Sequence, residues 1–220
     1  MKRRRRARLG WIDATEPIRS GLPVWPGDPK VDLRPLAPRG PFRVSRLVLS
    51  THAGTHVDPP WHFVFGRGTR ARRSVDEIDP GRLAGGAIVA RSPARDLVAA
   101  EDLAAALALR PLRLLVRTRN SARDFAALVA SGDFVALSED AARAAVRAGV
   151  RLLGIDGPSV DPAASRDYPA HRICLEAGCV LVEGLRLRRV RPGACDLMAL
   201  PLRLLRGDGA PARVFVRPRG

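Results

Sequence analysis

Short apolar stretches recur along the chain, separated by glycine, proline and charged residues, as in proteins that contain many short strands. Each stretch is rich in Val, Leu, Ile or another apolar residue. The predicted strands lie at residues 11–13, 42–49, 87–89, 112–116, 150–155, 180–185, 197–204 and 212–216. The sequence Pro26-Gly27-Asp28 predicts a turn after the first strand.

Two segments carry helical signals. Residues 100–109 are rich in Ala and Leu, and Glu101 and Asp102 stand near the start, where a helix favours negative charge. Over residues 139–148, Ser138 is a suitable N-cap and Gly149 a suitable C-terminal stop. The mixture of strands and helices predicts an α/β or α+β protein, and no internal repeat or linker requires a second domain.

The length of 220 residues suits one domain with a substantial core, and the hydrophobic fraction of 46% is typical of a globular protein. We therefore predict one domain over 11–220, preceded by a basic, disordered tail over 1–10. No apolar run is long enough to span a bilayer, and no secretory signal follows the first arginines. Cys174, Cys179 and Cys195 have no CxxC spacing, which favours buried thiols, no disulfide framework and a cytoplasmic protein.

A net charge of +16 raises the possibility of a nucleic-acid-binding module. Almost all of this charge is arginine, since Lys2 and Lys30 are the only lysines. Beyond the first six residues the arginines are dispersed, without the interleaved aromatic residues that stack on bases. We therefore expect no nucleic-acid partner, and we expect the basic stretch at 66–73 to be a mobile loop.

The four histidines form a more specific pattern. Three of them, His52, His56 and His62, fall within eleven residues, and Asp58 stands between the last two. Imidazole and carboxylate are ligands of Zn²⁺, Mn²⁺ and Fe²⁺ at neutral pH. Gly54 disfavours a regular helix, and Pro59-Pro60 ends any regular element. We expect the cluster to lie on a loop or short turn at the end of a strand.

His52, His56 and Asp58 can occupy one face of a divalent ion, and the distant His171 and Glu183 provide a second pair of ligands. If Asp58 bridges, these five side chains form a two-metal site. Such a site lowers the pKa of water and polarises a substrate carbonyl.

His62 then remains free to carry a proton as a general acid and base. The structural alternative is that all four histidines are ordinary hydrogen-bonded residues, which their clustering disfavours. A serine nucleophile is disfavoured because the chain has no GxSxG motif, and a cysteine nucleophile because only Cys174 is close to a histidine in sequence.

Residues 52–63 resemble the HxGTHxDxPxH signature of the metal-dependent cyclase family, which includes bacterial kynurenine formamidases and isatin hydrolases. The resemblance extends over most of residues 11–217. Further similar segments lie at residues 24–28, 154–162 with Ser165 and 170–171, 182–185, 199–202 and 209–213.

The resemblance implies a single-domain swivelling β/β/α fold, usually dimeric or larger. It implies that two divalent ions are bound, with zinc expected and manganese as the alternative. The first ion would be bound by His52, His56 and Asp58, and the second by Asp58, His171 and Glu183. His62 would be the catalytic acid and base.

Within this family the segments around 25 and 158–162 most resemble the kynurenine formamidases. The resemblance therefore implies an arylformamidase that hydrolyses N-formyl-L-kynurenine to L-kynurenine and formate in tryptophan degradation. Trp25 is the expected substrate-binding residue, and Trp61 and Phe63 are either further wall residues or core aromatics. The alternative within the family is hydrolysis of a cyclic imide, lactam or lactone, as in isatin hydrolase.

Overall fold

The computed structural model describes residues 10–38, 40–63 and 73–219, and its centre is a β-sheet that closes on itself. The strands are β1 Ile12–Asp13, β2 Asp32–Pro35, β3 Ser45–Val48, β4 His56–Asp58, β5 Ala84–Arg91, β6 Leu97–Val98, β7 Arg113–Arg117, β8 Ala136–Leu137, β9 Leu152–Ile155, β10 Val180–Glu183, β11 Gly193–Pro201 and β12 Ala210–Pro218. The helices are α1 Pro80–Leu83, α2 Ala100–Leu107, α3 Phe125–Ser131, α4 Glu139–Arg147 and α5 Pro169–Glu176.

The main sheet has the strand order β1-β12-β11-β5-β7-β9-β10-β4, and β4 also pairs with β12. This second pairing closes the sheet like a barrel, because β12 is long enough to pair with β1 near its end and with β4 near its start. The strands β5, β7, β9 and β10 run parallel, whereas β4, β11 and β12 pair antiparallel with their neighbours.

Successive side chains along each strand point to opposite faces of the sheet, and this divides the core into two layers. Leu115 on β7 and Val182 on β10 belong to the cluster enclosed by the curved sheet. Their neighbours Leu114 and Leu181 point the other way and pack with the helices, for example with Leu103 of α2. The predicted α/β class is confirmed: one face of a largely parallel sheet is covered by helices, and the other lines the interior.

Most of the predicted elements are present within a few residues. The helix predicted over 139–148 is α4, and the Ser138 hydroxyl accepts a hydrogen bond from the amide of Ala141, as expected of an N-cap. The strand predicted over 42–49 is the shorter β3, which pairs only with β2 and is exposed along its length. Three cysteines are free and buried, as predicted.

Other predictions were wrong or lie outside the described residues. The histidine cluster is not on a loop throughout, since His56–Asp58 form β4 between β10 and β12. Helices α1, α3 and α5 were not predicted. The basic tail at 1–10, except Gly10, and the loop at 66–73, except Arg73, lie outside the described residues. Within those residues, no helix is long and apolar enough to cross a membrane.

Candidate metal centre

Strand β4, which carries His56 and Asp58, is held against the end of β10 by a contact that leaves no room for a side chain at Gly184. A Cβ atom at Gly184 would lie 2.5 Å from the carbonyl oxygen of Gly54. The Thr55 hydroxyl donates a hydrogen bond of 2.6 Å to the Gly184 carbonyl. This close approach sets the register in which His56 lies opposite Glu183, so residues far apart in sequence meet at one end of the barrel.

The first group of predicted ligands comes together around one oxygen of Asp58. His52 Nδ1 lies 2.8 Å from Asp58 Oδ1, and His56 Nε2 lies 3.4 Å from the same oxygen. All three ligand atoms are within 4.8 Å of one another. Asp58 and His56 are buried, whereas His52 is at the edge of the site.

The second group lies on the other side of the same carboxylate. His171 Nε2 is 3.2 Å from Glu183 Oε1 and 3.9 Å from Asp58 Oδ2. Glu183 Oε2 also lies 3.5 Å from His56 Nε2. Asp58 therefore stands between two sets of donors, one oxygen facing each set, as a bridging ligand requires.

One buried oxygen that lacks a hydrogen-bond partner indicates that these side chains suit a cation. Asp58 Oδ2 is buried and has no hydrogen-bond partner among the described residues. A buried carboxylate oxygen without a partner is costly, and a bound cation removes that cost. The three imidazoles and two carboxylates are also the ligand types that divalent transition metals prefer, so the residues fit such ions.

Opposite charges stabilise each other within the cluster. Burial lowers the pKa of His52, but the carboxylates of Asp58 and Asp208 outweigh it and raise that pKa to about 9. Burial likewise lowers the pKa of His171, and Glu183 and Asp161 raise it to about 10. The pKa of Glu183 is raised by burial and then brought down to about 2, chiefly by His171. The imidazoles and carboxylates of the cluster therefore attract one another in the buried site.

His62 differs from the other three histidines. It lies in a 3-10 turn over Pro60–His62, and its ring is 4.1 Å from that of His52 and 5.8 Å from that of His171, centroid to centroid. Burial, more than any neighbouring charge, lowers the pKa of His62 to about 4. The imidazole of His62 is therefore neutral at pH 7.

The cluster opens onto a cavity of about 440 Å³ with a largely aromatic wall. Trp25, Phe63, Phe125 and Tyr168 line it, together with the predicted ligands other than Asp58. Phe63 stacks on His171, with ring centroids 4.8 Å apart. Trp61 is not one of the wall residues, and 39% of it is exposed to solvent. Of the three aromatic residues considered from the sequence, Trp25 and Phe63 line the cavity.

Comparison with known proteins places this site in a family. The Cyclase family model matches residues 12–162 of the chain. The chain belongs to the cyclase family. One relative is the kynurenine formamidase of Geobacillus thermodenitrificans, which is 34% identical over 215 residues, covering 96% of this chain and 98% of that protein.

Solved structures of cyclase-family proteins share the fold. A predicted metal-dependent hydrolase from Bacillus stearothermophilus is 30% identical, with a TM-score of 0.77 over 97% of this chain and 100% of the other. Isatin hydrolase A from Labrenzia aggregata has a TM-score of 0.82 over 94% of this chain and 93% of its own, at 22% identity. At that identity, the second likeness bears on the fold alone.

The residues that orient the three proposed ligand histidines could not be predicted from the sequence. Each proposed ligand histidine has one ring nitrogen next to an oxygen outside the five proposed ligands. For His171 it is Asp161 Oδ2 at 2.7 Å from Nδ1, for His56 the Gly54 carbonyl at 3.0 Å, and for His52 Asp208 Oδ2 at 3.3 Å. Such contacts fix the tautomer and orientation of metal-binding imidazoles. The sequence gives no signal for them, because they depend on how distant segments pack.

Asp161 should matter most among these partners, because it is fully buried and also accepts hydrogen bonds from the amides of Ala170 and His171. We expect Asp161→Asn to lower the affinity for a divalent metal ion by roughly 10- to 100-fold. A competition titration against a chromogenic chelator measures this. The matched control is Asp208→Asn, which should cost less because 53% of the Asp208 side chain is exposed. Equal affinity for wild type and Asp161→Asn would contradict the orienting role.

Proposed function

We propose that the chain is a metal-dependent amide hydrolase that converts N-formyl-L-kynurenine to L-kynurenine and formate. One observation carries the proposal: three histidines and Glu183 surround the buried carboxylate of Asp58, whose Oδ2 has no hydrogen-bond partner among the described residues, beside a neutral His62 at the base of an aromatic cavity. The formamidases among its relatives, at 30–35% identity over nearly the whole chain, support the choice of substrate.

Two divalent ions are proposed to bind here, one at His52, His56 and Asp58 and the other at Asp58, His171 and Glu183. We choose zinc first and manganese second, since nitrogen and oxygen donors accept both. When bound, such ions lower the pKa of water from 15.7 to about 7 and polarise a carbonyl group.

His62 is proposed to move the proton in both halves of the reaction. Its neutral imidazole accepts a proton from water while the water oxygen bonds to the formyl carbon. The resulting imidazolium then donates this proton to the aniline nitrogen as the carbon–nitrogen bond breaks. The products are the free aryl amine and formic acid, which releases its proton to solvent to become formate, and His62 returns to its neutral form.

Trp25 and Phe63 are proposed to hold the aryl ring. Both line the cavity, and Trp25 also packs on the buried cluster of Leu128, Phe134 and Ala136, which fixes its position. A rigid apolar wall binds an aryl group and excludes water from the reacting atoms.

We further propose that the protein is a cytoplasmic homodimer acting in tryptophan degradation. Free, buried cysteines are consistent with a reducing compartment. The hairpin β2–β3 and its flanks expose apolar side chains, with Phe42 68% and Leu47 48% exposed, and such surfaces favour association with a second subunit.

Hydrolysis of a cyclic imide is the second candidate, because an isatin hydrolase shares the fold and the same apolar cavity would accept a neutral bicyclic ring. An absorbance assay with N-formyl-L-kynurenine and isatin separates the two. We expect kcat/KM to favour the formamide by at least about tenfold. Zinc without protein is the blank, and a preference for isatin would overturn the proposed substrate.

A further inference from the structure

The cavity wall is nearly uncharged outside the metal cluster. Among the described residues, Asp28 is the one charged wall residue that is not a proposed ligand or His62, and no arginine or lysine lines the cavity. The absence of basic residues is unexpected in a chain with 38 of them. Outside the metal cluster, the described wall therefore offers a negative group to a ligand and no positive one.

Structural roles do not account for this carboxylate. Within the described residues, Asp28 forms no ion pair or side-chain hydrogen bond and belongs to no group of possible metal ligands. By contrast, Asp13 pairs with Arg213, and Asp32 lies 2.7 Å from Arg34. Asp28 is half-buried, so its charge is only partly screened by water.

A tight turn fixes Asp28 beside the proposed aryl-binding residue. The amide of Asp28 donates a hydrogen bond of 3.0 Å to the carbonyl of Trp25, and Gly27 between them has φ +96°. Proline followed by such a glycine is the pattern of a type II turn. A ligand whose ring packs on Trp25 therefore lies within one turn of the backbone from Asp28, on the same cavity wall.

We propose that Asp28 binds the ammonium group of the substrate, so that the site selects aryl formamides carrying a cationic amine. The inference rests on the proposed function and specifies its substrate class. A carboxylate and an ammonium group form a charge-assisted hydrogen bond, which is stronger than a neutral one. A substrate with only a carboxylate would meet repulsion from Asp28 and no positive partner in the described wall outside the metal cluster.

Four substrates that share the 2-formamidophenyl ketone test this proposal. N-formyl-L-kynurenine carries an ammonium and a carboxylate, and N-formylkynuramine carries the ammonium alone. The compound 4-(2-formamidophenyl)-4-oxobutanoate carries the carboxylate alone, and 2-formamidoacetophenone carries neither. The measured quantity is kcat/KM for each substrate relative to 2-formamidoacetophenone, in wild type and Asp28→Asn. The control is Asp32→Asn, which removes a charge from the same segment outside the cavity wall.

Asp28→Asn should lower the relative kcat/KM of the two ammonium substrates by about 10- to 100-fold, mainly through KM. The same substitution should leave the relative kcat/KM of the carboxylate-only compound unchanged or raise it. Asp32→Asn should keep the wild-type ratios of kcat/KM. A loss shared by all four substrates, or unchanged ratios in Asp28→Asn, would overturn the role of Asp28.

A binding measurement keeps this test separate from the proposed function. If the wild-type protein, loaded with zinc, hydrolyses none of the four substrates, the formamidase proposal fails. Binding of kynuramine and of neutral 2-aminoacetophenone, followed by tryptophan fluorescence, then decides on Asp28 alone. Loss of affinity for kynuramine but not for 2-aminoacetophenone in Asp28→Asn supports the inference, and equal affinities for wild type and variant overturn it.

Discussion

Removal of bound metal should lower the rate of N-formyl-L-kynurenine hydrolysis by at least about 10³-fold. Bound ions lower the activation barrier by several kcal/mol, and each 1.36 kcal/mol changes the rate tenfold. Without them, the chain supplies a proton carrier in His62 but nothing that makes water a strong nucleophile at neutral pH. The measurement is turnover after dialysis against a chelator, followed by addition of Zn²⁺ or Mn²⁺ in excess of the chelator. Activity should return with the metal.

Stability provides the control for this experiment. Metal that binds only the folded protein raises its melting temperature, by an amount equivalent to about 2.7 kcal/mol at a hundredfold excess over Kd. Asp58→Asn removes the charge of the carboxylate that faces both donor groups. We expect it to abolish both the activity and most of the metal-induced rise in melting temperature. Full activity of metal-free wild-type protein would contradict the proposed mechanism.

Replacement of His62 by alanine should lower kcat by about 10²–10⁴-fold, the usual contribution of a general acid and base. The bound metal should stay near the wild-type amount, because the five proposed ligands are intact. The measurement pairs steady-state kinetics with metal analysis of the same preparation. Added imidazole should restore part of the activity, since the small base can enter the space that the side chain leaves.

The metal analysis distinguishes a proton carrier from a metal ligand at position 62. Ligand atoms of His62, Asp58 and His171 lie within 4.8 Å of one another, which is close enough for the three to share an ion. If His62→Ala lost one metal equivalent, His62 would be a ligand and the proton would have to be carried by another group. Retained metal with lost turnover is the result that the proposed role requires.

The positions that could be predicted from the sequence are those with local signals. Helix α4 has its cap at Ser138, and β7 and β9 are apolar runs that stay buried in the sheet. The proposed ligands could be selected from the sequence because histidine is rare in this chain and because His52, His56 and Asp58 lie in one short motif. The structure brings these residues next to His171 and Glu183, as their grouping required.

Elements that depend on distant partners could not be predicted in this way. Gly54 and Pro59-Pro60 favour a turn, yet pairing with β10 and β12 makes His56–Asp58 a strand. Helix α5 starts without a side-chain cap from Tyr168, which has φ +46°. Its first amides are instead satisfied by Asp161, nine residues before Ala170. Tertiary contacts decide both cases, and a window of local sequence does not contain them.

The pairing of β4 also has a consequence for biosynthesis. This strand is made before both of its neighbours, Val180–Glu183 and Ala210–Pro218, which follow it by more than a hundred residues. Pairings this far apart in sequence form late in folding. We therefore expect a nascent chain on the ribosome to hold no ions in this site until β12 has emerged. Metal loading would then follow the synthesis of β12 and depend on the cations available at that stage.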